Sequence, residues 1–133
     1  SGDDFVGGLL FMCFHLNTVY PVERWWAKGH TSKLLEQSTL LTSDISHALL
    51  TDLTEGESHA SLNELAKELL TDSSPFDAAK HVRNITQIGQ SSGWDILTGM
   101  LAGLLPVIHL FQLANHIFQQ GQSSVYQLRF LYW

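Results

Sequence analysis

The apolar residues of this chain recur mainly at helical spacing, and the alternation that marks strands is weak. Residues 3–16 are apolar on nearly every side, which predicts a central helix, and Gly7 and Gly8 within it favour close approach of another backbone. A second long helix is predicted over 34–53, with Gly56 at or just beyond its end. Its apolar stripe consists of Leu41, Ile45, Leu49 and Leu53.

The segment between these helices, residues 17–33, is less regular because Pro21 interrupts it. We expect a loop or short helix over the core there, carrying Trp25, Trp26 and His30. Further on, Ser61-Leu-Asn-Glu64 has the spacing of a capping box, which predicts another helix start.

Two more helices follow. Ser74-Pro75-Phe76-Asp77 combines a capping serine with proline at the first helical position, and this helix should run to Ile88 with Gly89 as its C-terminal cap. The last helix begins at Ser92, kinks or stops near Pro106 and resumes to about Gln120.

These elements predict an all-α fold, a compact domain of about five or six helices in which two apolar helices are central. We assign residues 1–122 to this domain. Residues 123–133, which end in Phe-Leu-Tyr-Trp, suit a helix or a strand equally and form a tail of uncertain origin.

One phrase occurs twice, and both copies open an apolar helix. Ser-Gly-x-Asp-x-x-x-Gly-x-Leu spans residues 1–10 and again 92–101. In each copy the serine hydroxyl can cap the helix, and the aspartate three residues later can reach back to it. Free N–H groups and the helix dipole make such helix starts good anion sites.

If the two helix starts converge, they form one composite site. The donors of the first copy are Ser1 and Gly2, and those of the second copy are Ser91, Ser92 and Gly93. The carboxylates are Asp3, Asp4 and Asp95, which would orient these donors or hold a divalent cation such as Mg²⁺. The alternative is that both copies are well-capped helices and nothing more.

The charge and cysteine content of the chain limit the classes of partner and the compartment that we expect. The chain has 13 acidic and 7 basic residues, a net charge of −6, and no Lys/Arg cluster, so we expect no nucleic-acid partner. The single cysteine, Cys13, lies in an apolar run and is predicted to be a small buried hydrophobe. Without an intramolecular disulfide, the expected compartment is the cytoplasm.

A membrane span over residues 96–118 is the competing interpretation of the last helix, since Gly99 and Gly103 could pack a helix pair. Pro106, several polar residues and the lack of basic flanks favour a helix buried in a globular domain. The chain has neither an initiator methionine nor a basic leader, and we expect it to be part of a longer protein.

Other candidate chemistry is sparse. The histidines form no HExxH or zinc spacing, so we predict no metal site built from them, including His109 and His116. Thr42 and Ser46 would place two hydroxyls on one face of the second long helix.

The two motifs in context, SGDDFVGGLL and IGQSSGWDILTGMLAGL, resemble the AllH family, also known as carboxylase-like proteins of unknown function. Thr42, Ser46 and Gly56 fall in the order of that family's hydroxyl-rich middle helix. The resemblance covers about residues 1–105 and corresponds to the C-terminal portion of the family. Gln90 stands where the family usually has histidine.

The resemblance implies a subunit of an oxamate carbamoyltransferase from anaerobic allantoin breakdown, working with partner subunits or with a preceding part of its own chain. The expected reaction is carbamoyl transfer between carbamoylated oxamate and phosphate, with a small anion as substrate and Asp4 and Asp95 as catalytic residues. Two alternatives remain at this point. One is a non-catalytic scaffold with structural helix caps, and the other is an N-terminal nucleophile at Ser1.

Overall fold

The described part of the chain folds into six α-helices. A computed structural model describes residues 2–21, 28–71 and 75–131, without the side chains of 28, 110, 111 and 121–131. The helices are α1 (Gly2–Val19), α2 (Lys28–Ser38), α3 (Asp44–Thr54), α4 (Ala60–Leu70), α5 (Ala78–Thr86) and α6 (Ser92–Leu131). No strand occurs in these ranges, so the all-α prediction is confirmed. The predicted role of Trp25 and Trp26 lies outside the described residues.

The chain divides into two compact units, residues 1–103 and 104–133. The first unit has its core around α1, whose Leu10, Phe11, Met12 and Leu16 are buried. Helices α3, α4, α5 and the start of α6 contribute buried apolar side chains to that unit, namely Leu50, Leu53, Leu62, Leu65, Ala66, Ile85, Ile96, Leu97 and Met100. The prediction of an apolar central helix near the start of the chain is therefore confirmed.

The predicted long helix over 34–53 is wrong, because the chain leaves the helix after Ser38 and begins α3 only at Asp44. Hydroxyl groups compete for the backbone here. The Ser38 hydroxyl donates to the Leu35 carbonyl, and Ser43 caps α3 by accepting from the Ser46 N–H at 3.2 Å. Thr42 accordingly lies in the turn before α3 and not on a helix face with Ser46. Of the predicted stripe, Leu53 is buried, whereas Leu41 and Ile45 are exposed.

The end of α3 confirms the expectation at Gly56. Glu55 is the C-cap, the Gly56 N–H donates to the Leu53 carbonyl, and the Glu57 N–H donates to the Asp52 carbonyl. This double hydrogen bond is a Schellman motif, which requires a left-handed residue. Gly56 supplies it with φ +77°.

Two helices begin at residues other than the predicted ones. Helix α4 begins at Ala60 with His59 as its N-cap, so Ser61 lies inside the helix and cannot form the predicted capping box. Helix α5 begins after Asp77, whose carboxylate accepts from the Lys80 N–H at 2.9 Å, and so Pro75 precedes the helix. The predicted cap Ser74 lies outside the described residues.

Helix α5 ends at Thr86 with Gln87 as its C-cap, not at Ile88. Gly89 is not the cap, but it takes the left-handed conformation with φ +63° in the turn to α6.

Helix α6 continues through Pro106 to Leu131, so of the predicted kink or stop the stop is wrong, and the kink stays a prediction. Proline inside a helix removes one backbone hydrogen bond without having to end the helix. The ambiguity over residues 123–131 is resolved as helix. The assignment of 1–122 to one domain stays a prediction.

By length and composition, Ser92–Gln120 is the one helix among the described residues that could cross a membrane. Core helices pass the same test, and the first three turns of α6 are core, with Gly93, Ile96, Gly99 and Met100 buried.

Replacing Gly8 by alanine should lower the free energy of unfolding by about 3 kcal/mol or more, because overpacking at backbone contacts is not easily relieved. The added methyl group would lie 2.1 Å from the carbonyl oxygen of Ile96. Urea denaturation provides the measurement. Gly29→Ala is the matched control, since its methyl group meets nothing within 4 Å and should stabilise α2 by up to about 1 kcal/mol. Equal stability of both variants would contradict the close packing at Gly8.

Candidate functional site

The two motif copies pack directly against each other, and glycines make the contact. A methyl group at Gly8 would lie 2.1 Å from the Ile96 carbonyl oxygen, and one at Gly99 would lie 2.0 Å from the Phe5 carbonyl oxygen. Gly8 and Gly99 are equivalent in the repeat, and so are Phe5 and Ile96. The contact is therefore reciprocal, as at an interface between two-fold related partners.

The next contact fixes the direction of the two helices. A methyl group at Gly103 would lie 3.1 Å from Cβ of Met12, and these positions are again equivalent in the repeat. Contacts thus advance towards the C-terminus in both helices, from Phe5 and Gly99 to Met12 and Gly103. Helices α1 and the start of α6 run parallel, and their N-termini lie at the same end of the pair.

Both motif aspartates lie near this crossing. Asp4 precedes Phe5 and Asp95 precedes Ile96, so each lies one residue, about 1.5 Å along its helix axis, before a residue of the contact. Asp4 is only 8 % exposed and is the one buried carboxylate among residues 2–21, 28–71 and 75–131. Asp95 is half-buried. Asp4 lies in the first turn of α1, where the positive end of the helix dipole favours a carboxylate.

Asp3 has a different role from its neighbour. The Thr42 hydroxyl donates to its Oδ2 at 2.5 Å and thereby joins the first turn of α1 to the turn between α2 and α3. Gly2 is exposed, with open space around its Cα. Ser1 lies outside the described residues. Sequence reasoning singled out Thr42 for a helix face but missed this link, which no local pattern encodes.

In the second copy, helix α6 begins at Ser92 itself. If Ser92 were the cap, the first helical residue would be Gly93. The Ser91 carbonyl accepts from the Asp95 N–H at 3.0 Å, so Ser91 occupies the capping position. Ser91 is exposed and Ser92 half-buried.

Gly93 packs against α5, where a methyl group would lie 2.0 Å from the Ile85 carbonyl oxygen. Its N–H donates to the Ile88 carbonyl at 2.9 Å and is therefore not a free donor. Within the described chain, the N–H groups of Ser92 and Trp94 have no backbone acceptor, and they are the donors that this end presents. Gln90 lies exposed in the preceding turn.

The site is acidic. Helix α1 has no lysine or arginine, and α6 has none before Arg129. No group of three His, Cys, Asp or Glu side chains in the described part of the chain is arranged to hold a metal ion. A cation at Asp4 and Asp95 would therefore take its further ligands from water or from a bound anion.

Other titratable groups of α1 lie about two to three turns beyond Asp4. Burial raises the pKa of the Cys13 thiol, which keeps it protonated and confirms it as a buried hydrophobe. Burial lowers the pKa of His15, and this shift is partly opposed by a hydrogen bond between the His15 ring and the Asn63 side chain. The His15 ring meets Phe11 and Phe14 edge-on, with centroids 4.5 and 5.4 Å apart.

A cavity of about 520 Å³, which no sequence pattern predicted, lies along the later turns of α1. Helices α2 and α3 line it together with α1, through residues that include Asn17, Ser32 and Thr54. Of the motif residues only Leu10, the last of the first copy, lines the cavity, which therefore lies away from the paired helix starts.

The fold and site define an all-α domain built on two equivalent, parallel motif helices. The family model described as oxamate carbamoyltransferase subunit AllH matches residues 1–104, and the chain belongs to this family. No curated relative and no solved structure matches the chain. The suspected family resemblance is thereby confirmed, and as a member of a family of enzyme subunits the protein has partner subunits.

Replacing Thr42 by valine should lower the free energy of unfolding by about 1–2 kcal/mol, because Asp3 loses a half-buried hydrogen bond to a charged group. Thermal denaturation followed by circular dichroism measures the effect. Thr39→Val, whose exposed hydroxyl bonds only the Glu36 carbonyl, should stay within about 0.5 kcal/mol of wild type. A Thr42 variant as stable as the Thr39 variant would show that the link contributes nothing.

Acidification should destabilise the protein through His15. The pKa of His15 is lower in the folded state than in the unfolded state, so the unfolded chain binds the proton first as the pH falls. The free energy of unfolding therefore decreases as the pH drops below about 6.5 towards the pKa of the folded state. Urea midpoints measured across this range should fall less for His15→Gln than for wild type. His59→Gln, which changes an exposed histidine, serves as control. An unchanged pH slope in His15→Gln would refute the assignment.

Proposed function

We propose that this subunit of an oxamate carbamoyltransferase binds phosphate or carbamoyl phosphate where α1 and α6 begin. The contacts at Gly8, Gly99 and Gly103 carry the proposal, because together they direct two motif-bearing helix starts towards the same end of the helix pair. Two aligned helix dipoles and the free N–H groups of Ser92 and Trp94 favour an anion there.

Carbamoyl transfer suits such a set of donors. A phosphate oxygen attacks the carbamoyl carbon, the carbonyl oxygen becomes negative in the tetrahedral intermediate, and the bond to the oxamate nitrogen then breaks as that nitrogen gains a proton. Fixed N–H donors stabilise the developing oxyanion. The hydroxyls of Ser1, Ser91 and Ser92, with the backbone at Gly2, complete the donor set in this proposal.

We assign the two motif aspartates to orientation. The carboxylates of Asp4 and Asp95 can accept hydrogen bonds from the carbamoyl NH₂ group, which distinguishes carbamoyl phosphate from phosphate alone. A Mg²⁺ ion bridging these carboxylates to the phosphate is the other arrangement that relieves repulsion between like charges. Asp3 contributes indirectly, because its carboxylate already accepts from Thr42.

As part of the same proposal we place the protein in the cytoplasm, because the one cysteine of the chain is buried and protonated. We also propose that the first turns of α6 serve as a core helix and not as a membrane span, because they pack against α1 through Gly99 and Gly103.

Asp4→Asn and Asp95→Asn should each weaken binding of carbamoyl phosphate at least tenfold, as measured by isothermal titration calorimetry. Asp52→Asn, an exposed aspartate on α3, is the matched control and should bind as wild type. Repeating the titration with EDTA separates the two roles, because only a metal-bridged site loses affinity. Far-ultraviolet circular dichroism must show unchanged helicity for the comparison to hold.

The competing function is a non-catalytic scaffold in which the helix starts are structural caps. It is favoured by the acidic character of the site and by the engaged N–H of Gly93. It predicts lower melting temperatures for the Asp4 and Asp95 variants together with unchanged titrations. That combination of results would reject the anion site.

A further inference from the structure

The turn between α2 and α3 exposes apolar side chains to an unusual degree. Leu40 is 88 % exposed, Leu41 86 % and Ile45 84 %, the highest values among the large apolar residues that the structure describes. Scattered exposed leucines are common on protein surfaces, but adjacent ones indicate an interaction surface. We call residues 39–43 together with Ile45 the docking turn.

The docking turn is held in place by hydrogen bonds. The Ser38 carbonyl accepts from the N–H groups of both Leu41 and Thr42 at 3.0 Å. The Ser38 hydroxyl lies 2.9 Å from Nδ1 of His47, and the Thr42 hydroxyl donates to Asp3. The leucines are thus presented outward by an ordered backbone, which lowers the entropy cost of binding a partner.

The charges around the docking turn select the kind of partner. Exposed Glu36 precedes it and exposed Asp44 follows the cap of α3, while the nearest lysine on α2, Lys33, lies about a turn further back. The whole chain carries −6. A second copy docking face to face would set these carboxylates against each other, and an anionic lipid surface would be repelled as well.

We propose that the docking turn binds another subunit of the same enzyme, through an apolar pocket with a basic rim on that subunit. The identity of the partner rests on the proposed function, since the family to which the chain belongs is one of enzyme subunits. Because Thr42 is bonded to Asp3, the partner comes to lie beside the start of α1. It brings basic side chains to a region where α1 and the early turns of α6 have none.

The test uses the remaining subunits of the oxamate carbamoyltransferase, co-expressed and purified, as the probe. Their affinity for the chain is measured by biolayer interferometry. The double variant Leu40→Ser/Leu41→Ser and the single variant Ile45→Ser should each raise the Kd at least tenfold. Ile117→Ser is the matched control, because Ile117 is 61 % exposed and lies beyond the family-matched residues 1–104. Its Kd should stay within twofold of wild type.

A charge variant tests the basic rim. Glu36→Gln/Asp44→Asn should slow association several-fold and reduce its dependence on salt, while leaving dissociation nearly unchanged. All variants are also titrated with carbamoyl phosphate. Retained ligand affinity with lost subunit binding supports the docking turn, and it keeps this result separate from the test of the anion site.

Three outcomes would overturn the proposal. One is a lack of binding between wild-type chain and the purified subunits, and another is equal Kd values for wild type and the docking-turn variants. The third is a concentration-dependent dimer of the wild-type chain in analytical ultracentrifugation that Ile45→Ser abolishes, since this would assign the surface to a second copy.

Discussion

The close approach of α1 and α6 is the constraint on which the rest of the first unit depends. Two helices can bring backbone this close to backbone only where one of the two residues in contact lacks a side chain, and Gly8 on α1 and Gly99 on α6 meet that condition. The helix-propensity cost of these glycines, about 1 kcal/mol each, is offset by dense packing over several turns. The parallel arrangement then follows, and with it the shared end from which both helices begin.

Helical periodicity in the sequence predicts much of this fold. It gave the central helix at the start of the chain, the glycine at the end of α3 and the apolar start of α6, because burial and backbone freedom leave strong local signals. The errors occurred where polar side chains compete with the helix for backbone groups. The hydroxyls of Ser38 and Thr39 donate to carbonyls at the end of α2, and Ser43 caps α3, although the apolar stripe continues through this segment.

The candidate site was accessible to sequence reasoning only in part. The repeat marked both helix starts, but their common direction depends on a contact between residues about 90 positions apart. The link from Thr42 to Asp3, 39 positions apart, is equally non-local. The engaged N–H of Gly93 was also hidden, because the acceptor at Ile88 lies in a turn whose shape depends on left-handed Gly89. Side-chain identity specifies these groups, and only tertiary packing decides which of them remain available.

The two motif helices meet in reciprocal glycine contacts, but they differ in the side chains that they carry beside these contacts. The position held by Asp3 in one copy is held by Trp94 in the other, which is 54 % exposed. One copy therefore has a carboxylate bonded to a hydroxyl where the other has an exposed indole ring. The two sides of the helix pair are in this way chemically distinct. The difference between the copies therefore gives the paired helices a polarity that their shared motif alone would lack.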